Sequence, residues 1–306
     1  MSAGTLEKPV VKNEPQASKG ARRGGVGRGE DAVGRHPLRI VFGTLIGLLF
    51  LFPIVWTTIG AFKDEHDANA SPPVWWPKHW VLDNFGKLDG ANGSLANYII
   101  NSVTVSLLTV VITTVVAVMA GYAFAKFRFP GKKPLFGLTV GMLLVPYPAL
   151  LVALFTVMVW LHLTNSLLGL ALIYSTFQLP FAIYMMRNSF ESVPEEIVEA
   201  SLIDGCTKIT ALWRVILRLV SPGIVTIALF AFLAAWNEFL AALVLLNNDT
   251  NYTLQIALVN AQNGPLNTVD WGGLQAGITI TMLPCVLIFI FLQRYYVSGL
   301  VAGSGK

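Results

Sequence analysis

Residues Glu191 to Gly223, ESVPEEIVEASLIDGCTKITALWRVILRLVSPG, form a polar interval between two long apolar segments. Ser192, followed three positions later by Glu195, predicts a capping box, because a hydroxyl and a carboxylate at this spacing satisfy free N–H groups at a helix start. Gly205 is the residue type that commonly ends a helix. A second helix is predicted from apolar residues at helical spacing, which are Ile209, Leu212, Trp213, Ile216 and Leu219. The interval is therefore predicted to be a helix, a glycine turn and a second helix.

Composition places the chain among membrane proteins. Hydrophobic residues make up 54% of its 306 residues and charged residues only 12%, whereas about a quarter of an average soluble domain is charged. An ordinary soluble domain is thereby excluded, and the prediction is an all-α, polytopic membrane protein. The net charge of +4 does not indicate a nucleic-acid partner, because the basic residues cluster at the ends of apolar segments, where they set membrane orientation.

Six apolar segments are long enough to cross a lipid bilayer, since about 20 helical residues span its hydrocarbon core. The predicted spans are residues 38–62, 98–124, 135–160, 167–186, 224–246 and 273–296. Residues 38–306 are accordingly predicted to form one transmembrane domain that contains the 191–223 loop. Residues 1–37 are rich in Gly, Lys, Arg, Glu and Ser and nearly free of aliphatic runs, which predicts a disordered tail.

The basic residues predict which side of the membrane each loop faces. Eight Lys or Arg residues lie between the N-terminus and Arg39, and further basic residues fill the loops after the second and fourth spans. The loops after the third and fifth spans contain no Lys or Arg. Because cytoplasmic loops carry the excess of Lys and Arg, both termini and the 191–223 loop are predicted to face the cytoplasm.

Polar residues inside the predicted spans are candidates for lining a solute path, because such residues tend to face helix partners or a water-filled cavity. The candidates are Tyr147, Gln178, Asn237 and Glu238. A hydrogen-bonded role in helix packing is the alternative for Glu238. Pro146, Pro180 and Pro284 predict bends in their spans, because proline removes a backbone hydrogen bond.

The loop after the first span contains the segment SPPVWWPKHW at residues 71–80. Trp75, Trp76 and Trp80 predict contact with membrane lipid at the bilayer interface, where the apolar ring and the indole N–H are both accommodated. Contact with an extracellular protein is an alternative that is compatible with this prediction.

Several catalytic signatures are missing from the sequence. It contains no GxxxxGK[ST] phosphate loop, no HExxH motif and no GxSxG nucleophile elbow. Cys206 and Cys285 lack the spacing of a metal site or a disulfide framework. We therefore predict no catalytic residue, metal or cofactor, and no ATP hydrolysis by this chain. An ion-coupled secondary carrier is an alternative, although such carriers often contain inverted repeats and intramembrane acids, and Glu238 is the only acid within a predicted span.

The centre of the 191–223 loop resembles the EAA loop of bacterial ABC importer permeases. The resemblance is carried by Glu199, Ala200, Ser201, Asp204 and Gly205. The chain departs from the family pattern at Cys206, where alanine is common, and at Arg218, where proline is usual. The resemblance implies a type I ABC importer permease fold with six transmembrane helices, in which this loop is a coupling helix docked into a cleft of a cytoplasmic ATPase subunit.

Roles for the loop residues follow from that resemblance. Glu199 is expected to make a charge-assisted contact with the ATPase, and Ala200 and Ser201 are expected to pack closely against it. Asp204 and Gly205 are expected to form a turn that a side chain at residue 205 would obstruct.

A second resemblance covers the carboxy-terminal third of the chain. The segments WNEF at residues 236–239 and DWG at residues 270–272 resemble permeases of the maltose and oligosaccharide group. This implies import of a carbohydrate, with a second permease subunit, an ATPase dimer and an extracellular solute-binding protein as partners in a bacterial cell membrane. Tyr147, Gln178 and Asn237 then become candidate sugar contacts. An importer for glycerol-phosphate, a polyol or another small solute is the alternative within the same fold.

Overall fold

The computed structural model of the chain describes residues 37–89, 93–261 and 269–303. Within those ranges it contains helices and no β-strand. The helices of the first part, in chain order, are α1 (Pro37–Gly60), α2 (Glu65–Ala68), α3 (Asp83–Gly86), α4 (Leu95–Lys126), α5 (Lys132–Gly141), α6 (Tyr147–Trp160) and α7 (Leu167–Glu191). Those of the second part are α8 (Glu195–Ile203), α9 (Lys208–Ala211), α10 (Leu217–Leu219), α11 (Ser221–Asn237), α12 (Leu240–Leu245), α13 (Leu254–Ala261) and α14 (Trp271–Gly303). Apart from Pro37, the predicted tail at residues 1–37 lies outside the described residues.

The described chain divides into two units, with the boundary after Phe50. The first unit contains the N-terminal part of α1. The second contains the remaining helices and every site discussed below.

Long apolar helices dominate the described residues. Four of them, within α1, α4, α7 and α14, are long and apolar enough to cross a membrane, and the number rises to six if each of two bent helix pairs is one span. One pair joins residues 132–144 to α6 at 110°, and the other joins residues 209–219 to α11 at 76°. The predicted all-α, membrane-spanning architecture is confirmed, and its six spans agree with the larger count.

Two of the predicted spans are broken. In the third, the chain leaves the helix at Val145, whose backbone is extended, and α6 begins after Pro146. Proline explains this break, because it disfavours the helical conformation of the residue before it. In the fifth, α11 ends at Asn237 and Glu238 is extended with ψ of 132°. No proline or glycine lies at this break within the predicted fifth span, so the sequence does not indicate it.

The centre of the second unit is the packing of α4 against α7, with α11 against both. Gly121 of α4 allows the close approach, because a Cβ there would lie 2.6 Å from the Cβ of Met186 and 2.9 Å from the backbone N of Arg187. The same helix carries buried polar side chains, which are Asn101, Ser102, Ser106, Thr109 and Thr113. Small residues of this kind are typical of helix contacts in membranes.

Buried polar residues order the loop after α1, residues 63–89. The amide of Asn84 donates to the carbonyl oxygens of Ala61 at 2.9 Å and Lys63 at 2.7 Å. The Lys63 ammonium donates to the carbonyl of Val74 at 2.6 Å and lies 4.3 Å from the centroid of the Trp56 ring. Burial lowers the pKa of Lys63 despite the opposing effect of the nearby carboxylate of Asp67.

The tryptophans of this loop remain largely exposed. Trp75 meets the ring of Trp56 edge-on, with 5.2 Å between ring centroids, and Trp56 belongs to the membrane-spanning helix α1. Trp76 and Trp80 are exposed as well. A tryptophan held beside the end of a spanning helix favours the interpretation that this segment lies at the membrane interface.

Candidate functional site

The 191–223 loop begins differently from its prediction. Helix α7 continues to Glu191, and the Ser192 hydroxyl donates to the carbonyl of Ser189 at 2.8 Å. The predicted capping box does not form, because Ser192 is the residue after α7 and is not the N-cap of α8. Pro194 occupies the N-cap position of α8 without a side-chain cap. Helix α8 therefore begins at Glu195, two residues later than a capping box at Ser192 would place it.

The end of α8 is a complete Schellman turn. Gly205 has φ of +86°. Its N–H donates to the carbonyl of Leu202 at 3.1 Å, and the N–H of Cys206 donates to the carbonyl of Ser201 at 3.0 Å. These two bonds satisfy carbonyl groups that a helix end leaves free. A Cβ at residue 205 would meet no atom within 4 Å, so the left-handed backbone, and not crowding within this chain, explains the glycine.

The structure separates the five predicted coupling residues into two groups. Glu199, Ala200, Asp204 and Gly205 are exposed on α8 and its terminal turn. Ser201 is buried, and its hydroxyl donates to the carbonyl of Val198 at 2.6 Å. Ser201 therefore packs against its own chain, whereas the other four are accessible to a partner.

Beyond the turn, the predicted second helix contains a π-helical segment at residues 212–216, between α9 and α10. A π turn holds more residues than an α turn and changes which residues share a face. Ile216 is consequently buried, while Ile209 is 71% exposed and Trp213 is 68% exposed. Together with Ile203, which is 86% exposed, they are named here the exposed apolar residues of the loop. Large exposed apolar side chains are common at interaction surfaces.

The base of the loop is anchored to the helix bundle. The Lys126 ammonium, at the end of α4, donates to the carbonyl of Val193 at 3.0 Å. Arg187 and Glu191 form an ion pair at 2.7 Å on the last turn of α7. Apolar residues of the loop, Val193, Ile216 and Val220, belong to the same buried cluster as residues of α4 and α7. The loop is therefore packed against two of the long helices, α4 and α7.

A second candidate site lies where the two broken spans meet. Tyr147, the first residue of α6, donates its hydroxyl hydrogen bond to a carboxylate oxygen of Glu238. The same carboxylate accepts the backbone N–H of Ala241 at 2.9 Å, so that it caps the start of α12. The Tyr174 hydroxyl lies 3.5 Å from the Glu238 carbonyl oxygen, which the break leaves outside a helix.

These residues line a pocket of about 270 Å³. It contains three of the four predicted path residues, Tyr147, Gln178 and Glu238. Asn237 is not among the lining residues. Its side chain is exposed, and its amide donates to the carbonyl of Leu233 at 2.7 Å. The sequence left two roles open for Glu238, a hydrogen-bonded role in helix packing and a place along a solute path. The structure supports both, because Glu238 caps a helix and also faces a cavity.

Two aromatic lining residues, Tyr174 and Phe177, were not predicted. The Phe177 ring meets the Tyr147 ring edge-on, with 4.3 Å between centroids. A signal was available in the sequence, because residues 174, 177 and 178 lie three and four positions apart and share one face of a helix.

Asp64, His66 and Asp67 bring potential metal-ligand atoms within 4.8 Å of one another. Internal hydrogen bonds already engage two of them: Asp64 accepts the N–H of Asp67 at 2.7 Å, and Asp67 accepts the N–H of Lys78 at 2.8 Å. The hydrogen bonds within the loop therefore account for the proximity of these carboxylates without a metal ion.

The second unit is therefore a bundle of long apolar helices with an anchored, exposed helix pair between two of them. Residues 113–301 match the family described as binding-protein-dependent transport system inner membrane component. The chain belongs to this family, whose members are membrane components of ABC importers.

Individual relatives agree with this assignment. The diacetylchitobiose uptake system permease protein DasC of Streptomyces coelicolor is 34% identical, over 85% of this chain and 93% of that protein. The sulfoquinovosyl glycerol transport system permease protein SmoH of Agrobacterium fabrum is 32% identical, over 88% of this chain and 94% of that protein.

A solved structure shares the fold. A chain of a bacterial ABC transporter involved in the import of the acidic polysaccharide alginate superposes with a TM-score of 0.71 and 21% identity, over 85% of this chain and 95% of that chain. The predicted type I ABC importer permease fold is confirmed.

Proposed function

We propose that this chain is one of two permease subunits of a carbohydrate importer and that its 191–223 loop receives a separate ATPase subunit. The observation that carries the proposal is the surface of α8 and its terminal turn. Glu199, Ala200, Asp204 and Gly205 are exposed there, next to exposed apolar residues of the loop. Charged side chains next to apolar surface that a partner can cover are typical of protein–protein interfaces.

Coupling would operate as a rigid linkage. ATP-driven closure of the ATPase subunits would displace α8, and the contacts of Lys126 and Val193 would pass the displacement to α4. Helix α7 is continuous with the loop and packs against α4, so both spans would move together. Rigid-body movement of packed helices is a common form of such transitions.

The proposed orientation of the chain in the membrane rests on the distribution of its basic residues. The loops expected on the inner side carry most of the basic residues, the loop after the first span carries three, and the loops after the third and fifth spans carry none. Both termini and the 191–223 loop would therefore face the cytoplasm, where an ATPase subunit and ATP are available. A solute-binding protein would deliver the substrate on the opposite side.

A carbohydrate is the solute class that the pocket supports best. Its aromatic side chains offer faces for sugar rings, and Gln178 and Glu238 offer hydrogen-bonding groups. The names of DasC and SmoH refer to uptake of a sugar derivative and a glycoside, respectively. An importer for a polyol or another small solute stays the alternative within the same fold.

Charge reversal on α8 tests the coupling role. In the variant Glu199→Lys, loss of a charge-assisted contact worth about 1.5–3 kcal/mol should weaken ATPase association by about 10- to 100-fold. Association is measured with the purified ATPase and this chain with its partner permease in lipid nanodiscs. Glu65→Lys is the matched control, because Glu65 is an exposed acid in the loop after α1. Unchanged ATPase affinity in Glu199→Lys, or an equal loss in Glu65→Lys, contradicts the proposal.

A further inference from the structure

The pocket at the two helix breaks contains one acidic side chain among its lining residues. Glu238 is the only acidic lining residue, and none of the described residues that line the pocket is basic. Its carboxylate is held by the backbone N–H of Ala241 and by the Tyr147 hydroxyl. These two bonds fix the position of the carboxyl group in the pocket.

The remaining groups of the pocket suit a neutral polyhydroxylated ring. One Glu238 oxygen, Oε2, accepts a long hydrogen bond of 3.4 Å from the N–H of Ala242, which leaves it able to accept a hydroxyl hydrogen as well. Gln178 makes no side-chain hydrogen bond within the part of the chain that the structure describes, so its amide can both donate and accept. Tyr174 and Phe177 provide apolar ring surface beside these polar groups.

We infer that Glu238 makes this pocket selective for neutral sugars and excludes anionic ones such as uronates. The inference rests on the proposed function and specifies its substrate class. A neutral sugar donates hydroxyl hydrogens to the carboxylate. A carboxylate on the sugar would instead stand within a few ångströms of the Glu238 carboxylate, without a cation in the lining to offset the repulsion. Repulsion between two carboxylates at that range weakens binding by about tenfold or more.

The test compares two probes that differ only at one carbon. p-Nitrophenyl β-glucoside carries a hydroxymethyl group where p-nitrophenyl β-glucuronide carries a carboxylate. Binding to the complete transporter in nanodiscs, without nucleotide and without solute-binding protein, is measured by saturation-transfer NMR. We expect the wild-type transporter to bind the glucoside at least about tenfold more tightly than the glucuronide.

The variant Glu238→Gln should bring the two affinities within about threefold, because the amide keeps an acceptor oxygen for Tyr147 and Ala241 but removes the charge. Glu65→Gln, which removes an exposed charge from the loop after α1, should leave the preference unchanged. Equal binding of both probes by the wild-type transporter, or binding of neither, overturns the inference, and so does an unaltered preference in Glu238→Gln. The wild-type comparison requires no variant to fold. ATPase association of the same preparation is measured in parallel, so that failure of the coupling proposal is recognised separately.

Discussion

Asp67 is the residue on which the order of the 63–89 loop most clearly depends. Its side chain is fully buried, and it accepts the backbone N–H of Lys78 across the loop at 2.8 Å. That backbone donor is the main cause that lowers the pKa of Asp67, and His66 contributes further in the same direction. The charged form of the carboxylate is therefore favoured in the folded loop.

Protonation of Asp67 should therefore destabilise the folded loop at low pH. A carboxyl group whose pKa is lowered by folding stabilises the folded state above its unfolded value, here 3.8, and this stabilisation is lost as pH falls through the lowered pKa. We expect the Lys78 amide, measured by hydrogen exchange corrected for the intrinsic rate, to lose protection as pH falls below about 4.

A variant separates this effect from general acid unfolding. Asp67→Asn should raise Lys78 amide exchange several-fold at neutral pH and abolish its acid dependence, whereas Asp83→Asn, at an exposed acid of the same loop, should do neither. The assignment fails if Lys78 exchange in Asp67→Asn keeps the wild-type pH profile.

The structural role of a single residue could be predicted from the sequence where its residue type strongly favours one conformation. Gly205 could be predicted to end α8 because left-handed backbone favours glycine. Ser192 could not be assigned so simply, because its hydroxyl had two helix ends within reach and the structure uses the end of α7. Tyr174 and Phe177 were missed because their place in the pocket depends on how α7 meets α6 and the start of α12.

Among the elements, α4 and α7 form the pair on which the bundle is built. Their contact at Gly121 leaves no room for a methyl group, because a Cβ would lie 2.6 Å from the Met186 Cβ. Gly137 of α5 offers the opposite environment, since a Cβ there meets no atom within 4 Å. The two glycines are therefore a matched pair for testing helix packing.

Alanine at these two positions should have effects of opposite sign. Gly121→Ala should destabilise the purified chain by about 1–3 kcal/mol through overpacking. Gly137→Ala should stabilise it by about 0.5–1 kcal/mol, because glycine in a helix interior costs this much relative to alanine. Stability is measured by reversible unfolding of the chain in mild detergent. Equal effects of the two substitutions would show that the α4–α7 contact is looser than described.

Of the two helix breaks, only the one in the third span could be predicted from the sequence. Pro146 indicated the break in the third span, because the physical cause is local and visible in the sequence. The break at Glu238 has no such local signal. It depends on the Tyr147 hydroxyl and the Ala241 N–H, to which the carboxylate binds, and Tyr147 lies far away in sequence.

For the whole molecule, the sequence carried enough information to predict an all-α membrane protein with a polar helix pair between its fourth and fifth spans. Apolar length and loop charge act over many residues, so local errors do not change the outcome. The pocket was predictable only in part, because it is assembled from three separate spans. The central claim for the molecule is that a separate ATPase subunit docks on the exposed surface of α8 and its terminal turn.

Photo-cross-linking from residue 203 in the complete transporter tests this claim most directly. Ile203 is 86% exposed, and its replacement by a photoreactive phenylalanine analogue places the probe at the end of α8. We expect an adduct with the ATPase subunit from position 203 and none from position 76, where Trp76 is 67% exposed in the loop after α1. An ATPase adduct from position 76, or none from position 203 in a transporter that takes up its substrate, would contradict the account.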